Sequence, residues 1–331
     1  MIANVSWGNV VLPARDMYVR RRGTLVEVQT PAKVNLFLEV LSRRADGYHE
    51  IETLMTPVGL FDRVSLAANS TGTLSFTCRW SRGVESQRRR DGSAGTGTWE
   101  AIPAGEDNLL VKSVRRLREL AGVRQGADMA LVKRIPMAAG LGGASSDAAA
   151  GLAAANVAWG LGWSRRRLAE VAAEIGSDVP FFLQGGPCLC RGRGEQIESI
   201  TGWQPLHMVV VKPPAGLSTA HVYRVCRLAE QTRSVDAILA AGRRGDAVNV
   251  GRLLFNRLEQ AAEQLSPWIE RLQNACDRLD CLGYRMSGSG TSFVGICRHA
   301  DHARRVAARL RAAGWSTVFA TRTLHGASRC E

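Results

Sequence analysis

The chain has 331 residues, which is too long for a single small module and suits two domains. With 45% hydrophobic and 22% charged residues, its composition is that of a globular protein, and this excludes a disordered chain, a collagen-like repeat and a coiled-coil rod. No apolar run approaches the roughly 20 residues of a membrane span, so we expect no membrane as a partner.

The formal net charge of +13 admits two interpretations. A basic surface could bind a polyanionic partner, such as nucleic acid or phosphorylated small molecules. However, most of the excess is arginine on predicted helical faces, as at 165–167, 304 and 305. Few aromatic residues lie between the basic ones, whereas single-strand binders need such stacking platforms. We therefore interpret the charge first as a solvated, arginine-rich surface.

The eight cysteines form no CxxC pair, and no histidine cluster has zinc-ligand spacing. We expect reduced thiols in a cytoplasmic protein. Residues 1–27 lack the apolar core of a secretion signal and are expected to form an N-terminal extension. A plastid transit peptide is the minor alternative.

The first predicted elements are strands. Apolar residues alternate along 34–40, which places the even-numbered residues on one face and Lys33 and Asn35 on the other. The turn signal Asp46-Gly47 predicts a hairpin. The predicted strands of this region are Val34–Leu41, Ile51–Val58, Val64–Leu66 and Leu74–Phe76.

The next segment, Ser81 to Glu106, is rich in glycine, serine and arginine, which is typical of a flexible insertion or lid. Helical spacing predicts a helix over Asn108–Leu120. A second, alanine-rich helix is predicted from about Ser146 to Trp159. The apolar run Leu206–Val211 predicts a buried strand, and the domain boundary is placed near it, at residue 204. The predicted elements beyond it are helices near 218–230, 246–263, 267–280 and 301–313, with strands at 292–296 and 315–320.

The strongest functional signal is PMAAGLGGASSDAAA, residues 136–150. Its glycines let the backbone approach an anion, its serines add hydroxyl donors, and the following helix contributes its positive N-terminal end. It is not a Walker A loop, because that motif needs lysine directly after its last glycine and this chain has Gly143-Ala144-Ser145. A small-residue turn that caps a helix would explain the same residues, so the segment alone leaves phosphate binding open.

Two charged residues are candidates for catalysis. Lys33 lies between apolar neighbours and could be a partly desolvated active-site cation or an edge lysine whose stem covers apolar surface. Asp178 precedes the apolar segment 179–182 and could be a half-buried acid or a helix N-cap. Spacing alone leaves both alternatives open.

Four segments occur together and in order, and they carry a resemblance. They are PAKVNLFLEVLSRRADGYHEIETLM (31–55), the segment 136–150, GSDVPFF (176–182) and MSGSGTSF (286–293). The chain closely resembles the 4-diphosphocytidyl-2-C-methyl-D-erythritol kinases of the GHMP kinase superfamily, from Pro31 to about Ala320. The first segment is the most specific of the four, because other GHMP kinases lack it.

The resemblance implies an α+β GHMP kinase fold. Residues 28–203 would form an ATP-binding domain like ribosomal protein S5 domain 2, and residues 204–331 a ferredoxin-like domain. It also implies transfer of the γ-phosphate of ATP, with Mg²⁺, to the 2-hydroxyl of the methylerythritol unit in the non-mevalonate isoprenoid pathway. Lys33 and Asp178 match the catalytic pair: Asp178 would accept the hydroxyl proton, and Lys33 would orient it.

The binding residues are also implied by the resemblance. The ATP-binding residues would be Asn108, Pro136, Met137, Ala138, Ala139, Gly140, Leu141, Gly142, Gly143, Ala144, Ser145 and Ser146. The substrate-binding residues would be Asn35, Tyr48, His49, Thr219 and Tyr223, with Tyr48, His49 and Tyr223 around the cytosine. No protein ligand of Mg²⁺ is assigned, although Ser146 is a candidate by position.

The chain departs from the family pattern at residues 1–27, at the basic insertion 81–100, at Ala144 in place of a common glycine, and at 324–331. A small molecule is the expected partner of a monomer or homodimer. Two alternatives stay open at this point. One is another GHMP kinase acting on homoserine, mevalonate or a sugar; the other is a basic, S5-like protein that binds nucleic acid.

Overall fold

The computed structural model describes residues 16–85, 102–103 and 105–324. Most of the expected extension, most of the insertion after Ser81 and the tail after Leu324 lie outside the described residues. The strands are β1 Tyr18–Arg22, β2 Leu25–Arg43, β3 His49–Asn69, β4 Leu74–Trp80, β5 Gly126–Lys133, β6 Cys188–Arg191, β7 Gln196–Ser199, β8 His207–Lys212, β9 Phe255–Asn256, β10 Gly283–Met286, β11 Phe293–Cys297 and β12 Thr317–Arg322. The helices are α1 Leu109–Ala121, α2 Gly143–Ala158, α3 Arg165–Ile175, α4 Val179–Gln184, α5 Thr219–Val225, α6 Asp236–Arg243, α7 Ala247–Leu253, α8 Glu259–Leu265, α9 Pro267–Asp277 and α10 Ala300–Ala312.

The N-terminal sheet is built on the hairpin of β2 and β3. Its strand order is β1-β2-β3-β5-β4, with β6 and β7 attached beside β3. The predicted hairpin is therefore confirmed, but it is longer than expected, and Val64–Leu66 belongs to the second half of β3. Alanine-rich α2 packs with α1 on this sheet around a core that includes Leu66 and Leu152.

A β-bulge interrupts β2 at the candidate site. The register with β3 shifts between Asn35 and Phe37, so the strict alternation predicted over 34–40 does not persist. Both faces of the strand are covered there, since residues 30–40 are all buried. Lys33 and Asn35 are thus buried polar residues, and they line a cavity instead of a solvated surface.

Part of the expected N-terminal extension belongs to the sheet. Tyr18–Arg22 pairs antiparallel with β2, and Met17 packs into the core beneath it. We therefore propose that the extension ends before residue 16. The chain passes to the second sheet between Ser199 and His207, and the proposed domain boundary at residue 204 falls in this connection.

The C-terminal sheet is antiparallel, with the order β10-β11-β8-β12. β8, the first of these four strands along the chain, thus lies between β11 and β12, the third and fourth, which is the ferredoxin-like arrangement. The α+β class and this topology are confirmed. The single helix predicted over 246–263 is wrong, because β9 interrupts it and pairs parallel with β2.

Both faces of β8 are buried, which explains its unbroken apolar run. Met208 and Val210 join a core shared by the two sheets, whereas Val209 and Val211 face the core of the C-terminal helices. Successive side chains of a strand point to opposite faces, so one strand contributes to both cores. Within the described ranges, no helix has the length and apolar character needed to cross a membrane.

Replacing Met208 by alanine should destabilise the protein by about 2–5 kcal/mol, because the side chain is fully buried in the shared core and leaves a cavity. Urea unfolding measures the loss. Leu120→Ala, at a position 42% exposed, is the control and should cost far less. Equal losses in the two variants would contradict the shared core.

Candidate active site

A cavity of about 1140 Å³ lies where the two sheets meet. Strand β2, the glycine-rich loop (residues 136–142), the start of α2 and the segment 287–291, here called the serine-glycine loop, contribute to its walls. The cavity brings together nearly all the residues implied by the sequence. Those that line it are Lys33, Asn35, Tyr48, His49, Asn108, residues 136–145, Asp178, Thr219 and Tyr223.

Lys33 and Asp178 form an ion pair at the centre of this cavity. The Lys33 ammonium lies 3.4 Å from Asp178 Oδ2 and donates a 2.7 Å hydrogen bond to Asn35 Oδ1. Lys33 is 5% exposed, whereas the Asp178 side chain is 34% exposed. The lysine is therefore enclosed and the carboxylate is open to a ligand.

Asn35 holds Lys33 in place. Its amide Nδ2 donates to Thr53 Oγ1 at 2.8 Å, and the Thr53 hydroxyl donates to the Phe37 carbonyl at 2.7 Å. This chain of bonds fixes the amide, so Oδ1 is directed at Lys33. The second N–H of the Asn35 side-chain amide is left to donate to a substrate. The main role of Asn35 is to orient the Lys33 ammonium.

The helix that follows Asp178 does not use its carboxylate as a cap. Asp178 precedes α4, with Pro180 in the first turn, but its side chain accepts no hydrogen bond from that turn. Asp178 thus occupies the N-cap position predicted as the alternative, but its side chain makes no capping hydrogen bond. Its carboxylate faces Lys33 and the cavity instead.

Close packing explains the glycines of the glycine-rich loop. Gly140 has φ 71°, and a Cβ there would lie 2.0 Å from the Ser287 carbonyl oxygen. Gly142 has φ 67°, and a Cβ there would lie 2.9 Å from Lys33 Cγ. The Lys33 N–H donates to the Leu141 carbonyl at 3.0 Å, which joins the loop to β2.

The start of α2 opens into the cavity. The helix begins at Gly143, three residues earlier than predicted, and residues 143–145 line the cavity. Their N–H groups lack acceptors within the helix, and the helix end carries partial positive charge, so the position suits an anion. Ala144 lies in this first turn, outside the positive-φ positions, so the missing glycine needs no special backbone angle.

The structure places the Ser146 hydroxyl away from the cavity. It donates to the Pro31 carbonyl at 2.6 Å, lies 2.6 Å from Thr30 Oγ1, and is fully buried. The expectation that this side chain contacts phosphate or Mg²⁺ is therefore corrected. Its bonds attach α2 to β2, while Ser145 is the serine at the cavity.

A buried charge cluster that we did not predict lies beneath the loop. Lys133 Nζ donates to Asp62 and, at 2.7 Å, to Asp147 Oδ2. Burial disfavours the charged lysine, but the two carboxylates outweigh it and raise the pKa of Lys133. Burial raises the pKa of Asp147 well above its usual range, and Asp147 Oδ1 has no hydrogen-bond partner among the described residues. Nothing in the sequence pattern marks these residues, since they meet only through the fold.

Aromatic side chains form the far end of the cavity. The rings of His49 and Tyr223 lie 5.2 Å apart, and Tyr48 is 54% exposed with the Arg193 guanidinium 4.9 Å from its ring centroid. Burial, with the charge of Arg43, lowers the pKa of His49 and favours its neutral form. Burial also raises the pKa of Tyr223.

The serine-glycine loop ties the C-terminal sheet to the site. The Ser287 hydroxyl accepts from the Asn35 N–H at 3.1 Å and donates to the Gly140 carbonyl at 3.1 Å. Asn256 Nδ2 donates to the carbonyls of Met286 and Gly288. The segment MSGSGTSF thus braces both the lysine strand and the glycine-rich loop.

Two further predicted residues lie at the cavity with partners of their own. Asn108 caps α1 by accepting from the Leu110 N–H at 2.9 Å, and its amide donates to the Pro103 carbonyl. Thr219 Oγ1 lies 2.8 Å from Ser289 Oγ. Across the described residues, no group of three histidine, cysteine, aspartate or glutamate side chains could hold a metal ion.

Comparison with known proteins assigns both halves of the chain. Residues 108–186 match the family "GHMP kinases N terminal domain", and residues 235–314 match "GHMP kinases C terminal". A relative named 4-diphosphocytidyl-2-C-methyl-D-erythritol kinase, from Pelotomaculum thermopropionicum, is 38% identical over 89% of this chain and 96% of its own length.

Solved structures agree with this assignment. A crystal structure of a 4-(cytidine 5'-diphospho)-2C-methyl-D-erythritol kinase superposes with a TM-score of 0.71 and 35% identity, over 91% of this chain and 100% of that one. A homoserine kinase from Cytophaga hutchinsonii superposes with a TM-score of 0.69 but 19% identity, over 94% and 98% of the two chains, so it shares the fold.

Lys133→Met should cost about 3–5 kcal/mol of unfolding free energy, because it leaves two buried carboxylates without their cation. Burial already raises the pKa of Asp147, and the variant loses the lysine charge that opposes this rise, so the folded variant would take up a proton more readily than the unfolded chain and the loss should shrink from about pH 8 to about pH 5. Urea unfolding at both pH values tests this. Lys112→Met, on an exposed face of α1, is the control; a loss that is the same at both pH values would contradict the cluster.

Proposed function

The chain belongs to the 4-diphosphocytidyl-2-C-methyl-D-erythritol kinase family of the GHMP kinases, and from this premise we propose that it phosphorylates the 2-hydroxyl of that cytidylyl alcohol with ATP. The reaction would yield the 2-phosphate and ADP in the non-mevalonate isoprenoid pathway. One observation carries the proposal: an ammonium–carboxylate pair lies in a single cavity between a helix N-terminus and an aromatic end.

Asp178 would accept the proton of the 2-hydroxyl. The alcohol oxygen then forms a bond to the γ-phosphorus, the bond from that phosphorus to the β,γ-bridging oxygen breaks, and ADP leaves with the electron pair. Support for this role comes from the exposure of the carboxylate towards the cavity. The Lys33 ammonium, 3.4 Å from Asp178, orients the carboxylate and would offset negative charge near the attacking oxygen.

The glycine-rich loop and the first turn of α2 would hold the phosphates of ATP. Backbone N–H groups of 143–145 and the helix dipole supply fixed positive potential, so most of the rate enhancement would come from positioning and electrostatics. Asn108 and residues 136–142 would line the nucleotide side of the same cavity.

Mg²⁺ would accompany ATP and neutralise charge on its phosphates. The described residues hold no ready cage of three acidic or metal-binding side chains, which fits an ion held mainly by phosphate oxygens and water. Asp147 Oδ1 is the one buried, unpartnered carboxylate oxygen of the described residues, and Asp147 lines the cavity, so its hard oxygen suits this cation.

The aromatic end would hold the cytosine. Tyr48 and Tyr223 offer ring faces for stacking, and neutral His49 offers a donor and an acceptor for the edge of the base. Asn35 and Thr219 would contact the portion nearer the reaction. Homoserine, mevalonate and sugars, the substrates of the alternative GHMP kinases, contain no nucleobase that could occupy this end.

We also propose a cytoplasmic enzyme that acts as a monomer or homodimer, without nucleic acid as a partner. The seven cysteines of the described residues are all free thiols, which supports a reducing compartment.

ADP release tests the function most simply. With ATP and Mg²⁺, the protein should release ADP on addition of the cytidylyl alcohol and should not do so with homoserine or mevalonate. Preferential turnover of homoserine or mevalonate would assign another GHMP activity. Salt-dependent RNA binding without ATP turnover would assign the nucleic-acid alternative.

Asp178→Asn should lower kcat by about 100-fold or more while the KM for ATP changes little, because the shape remains and the proton acceptor is lost. The same ADP assay measures both constants. Asp128→Asn, on an exposed face of β5, is the control and should keep wild-type kcat. A wild-type rate in Asp178→Asn would remove this residue from the role.

Tyr48→Ala should raise the KM for the cytidylyl alcohol about tenfold, since stacking on a base contributes about 1–3 kcal/mol. Tyr18→Ala is a matched control, because Tyr18 has a similar exposure, 59% against 54% for Tyr48, but lies on β1. Steady-state kinetics measure both variants, and an unchanged KM in Tyr48→Ala would argue against cytosine at this end.

A further inference from the structure

The proposed substrate carries a diphosphate between its base and its alcohol, and this inference rests on that proposed function. The diphosphate must lie between the aromatic end and Asp178, because its two neighbours are placed there. A diphosphate is negatively charged, and a cationic side chain with several N–H donors binds it most strongly. The cationic residues that line the cavity within the described ranges are Lys33, Arg43, Lys133, Arg193 and Arg224.

Two of these cations already have partners. Lys33 is bound to Asn35 and Asp178, and Lys133 is enclosed by Asp62 and Asp147. The three arginines remain.

Arg193 stands at the turn between β6 and β7. Its backbone N–H donates to Glu195 Oε2 at 2.6 Å, and the Gly192 carbonyl accepts from the Ile51 N–H at 2.8 Å, so the turn is fixed to β3. Gly194 has φ 114°, which suits glycine, and a Cβ there would lie 3.6 Å from Asp178 Oδ1. The turn therefore lies next to the candidate catalytic carboxylate.

The side chain of Arg193 extends from this turn to the aromatic end. Its guanidinium lies 4.9 Å from the ring centroid of Tyr48. The turn thus has Gly194 close to Asp178 and the Arg193 guanidinium close to Tyr48, and the diphosphate must cross the space between these two residues. Arg43 and Arg224 also line the cavity, but both are exposed, and neither has this pair of neighbours among the contacts of the described residues.

Among the described residues Arg193 forms no salt bridge, although its charge is one of several influences that lower the pKa of Asp46, which lines the same cavity. Arg191, two residues earlier, pairs with Glu52 at 3.0 Å and with Glu198 at 3.1 Å. Within the described part of the chain, Arg193 has no such carboxylate partner. Its planar guanidinium can therefore offer its N–H groups to an anion while its face lies on the tyrosine ring.

We propose that Arg193 binds the diphosphate of the substrate and so selects a nucleoside-diphosphate-linked alcohol over a free alcohol. The side chain would contribute to substrate binding and would take no part in the proton transfer from the 2-hydroxyl to Asp178. Its loss should therefore raise the KM for the alcohol and leave kcat nearly unchanged.

Arg193→Gln should raise the KM for the cytidylyl alcohol about 10–100-fold, with little change in kcat or in the KM for ATP. Arg193→Lys should fall between this variant and the wild type, because it keeps the charge but loses the paired donors. Arg191→Gln removes the same charge on the same hairpin and should keep the wild-type KM. An unchanged KM in Arg193→Gln, or an equal rise in Arg191→Gln, would overturn the inference.

A binding measurement isolates the diphosphate. Calorimetry should show that wild-type protein binds cytidine diphosphate more tightly than cytidine, and that this ratio collapses in Arg193→Gln while cytidine affinity stays the same. A preserved ratio would overturn the role of Arg193 even if KM rises. Absence of turnover in the wild type would instead overturn the proposed function, so the two failures are distinguishable.

Discussion

One lysine holds the site together. The backbone N–H of Lys33 fixes the glycine-rich loop through Leu141, and its ammonium holds Asp178 at 3.4 Å. The distance between the loop and the carboxylate is therefore set by a single residue of β2. Because Lys33 is almost fully buried, its ammonium needs the hydrogen bond to Asn35 and the negative charge of Asp178, and the loss of Asp178 would leave a buried cation without its counter-charge.

The second domain completes this arrangement. Ser287 bonds both the Asn35 N–H and the Gly140 carbonyl, so a loop of the C-terminal sheet braces the lysine strand and the glycine-rich loop together. Asn256 on β9 holds that loop, and β9 itself pairs with β2. Shared packing under β8 then makes the two sheets one body around the cavity. The geometry of the ion pair thus depends on both domains.

Local sequence patterns predicted most strands and helices, whereas contacts between distant residues determine several features of the site that the patterns did not predict. Alternation and a turn signal predicted the hairpin, because both depend on neighbours in sequence, whereas the glycine-rich segment by itself left phosphate binding open. The bulge after Asn35, the inward turn of the Ser146 hydroxyl and the Lys133 cluster depend on partners far along the chain, so no local pattern marks them. The helix predicted over 246–263 was wrong for the same reason, since Asn256 bonds a distant loop in place of continuing a helix.

The most direct test of the account is a crystal structure with a non-hydrolysable ATP analogue and the cytidylyl alcohol bound together. We expect the γ-phosphate at the first turn of α2 and the 2-hydroxyl within hydrogen-bond distance of Asp178, with the base at the aromatic end. An alcohol bound elsewhere, or a γ-phosphate on the other side of the Lys33–Asp178 pair, would contradict it.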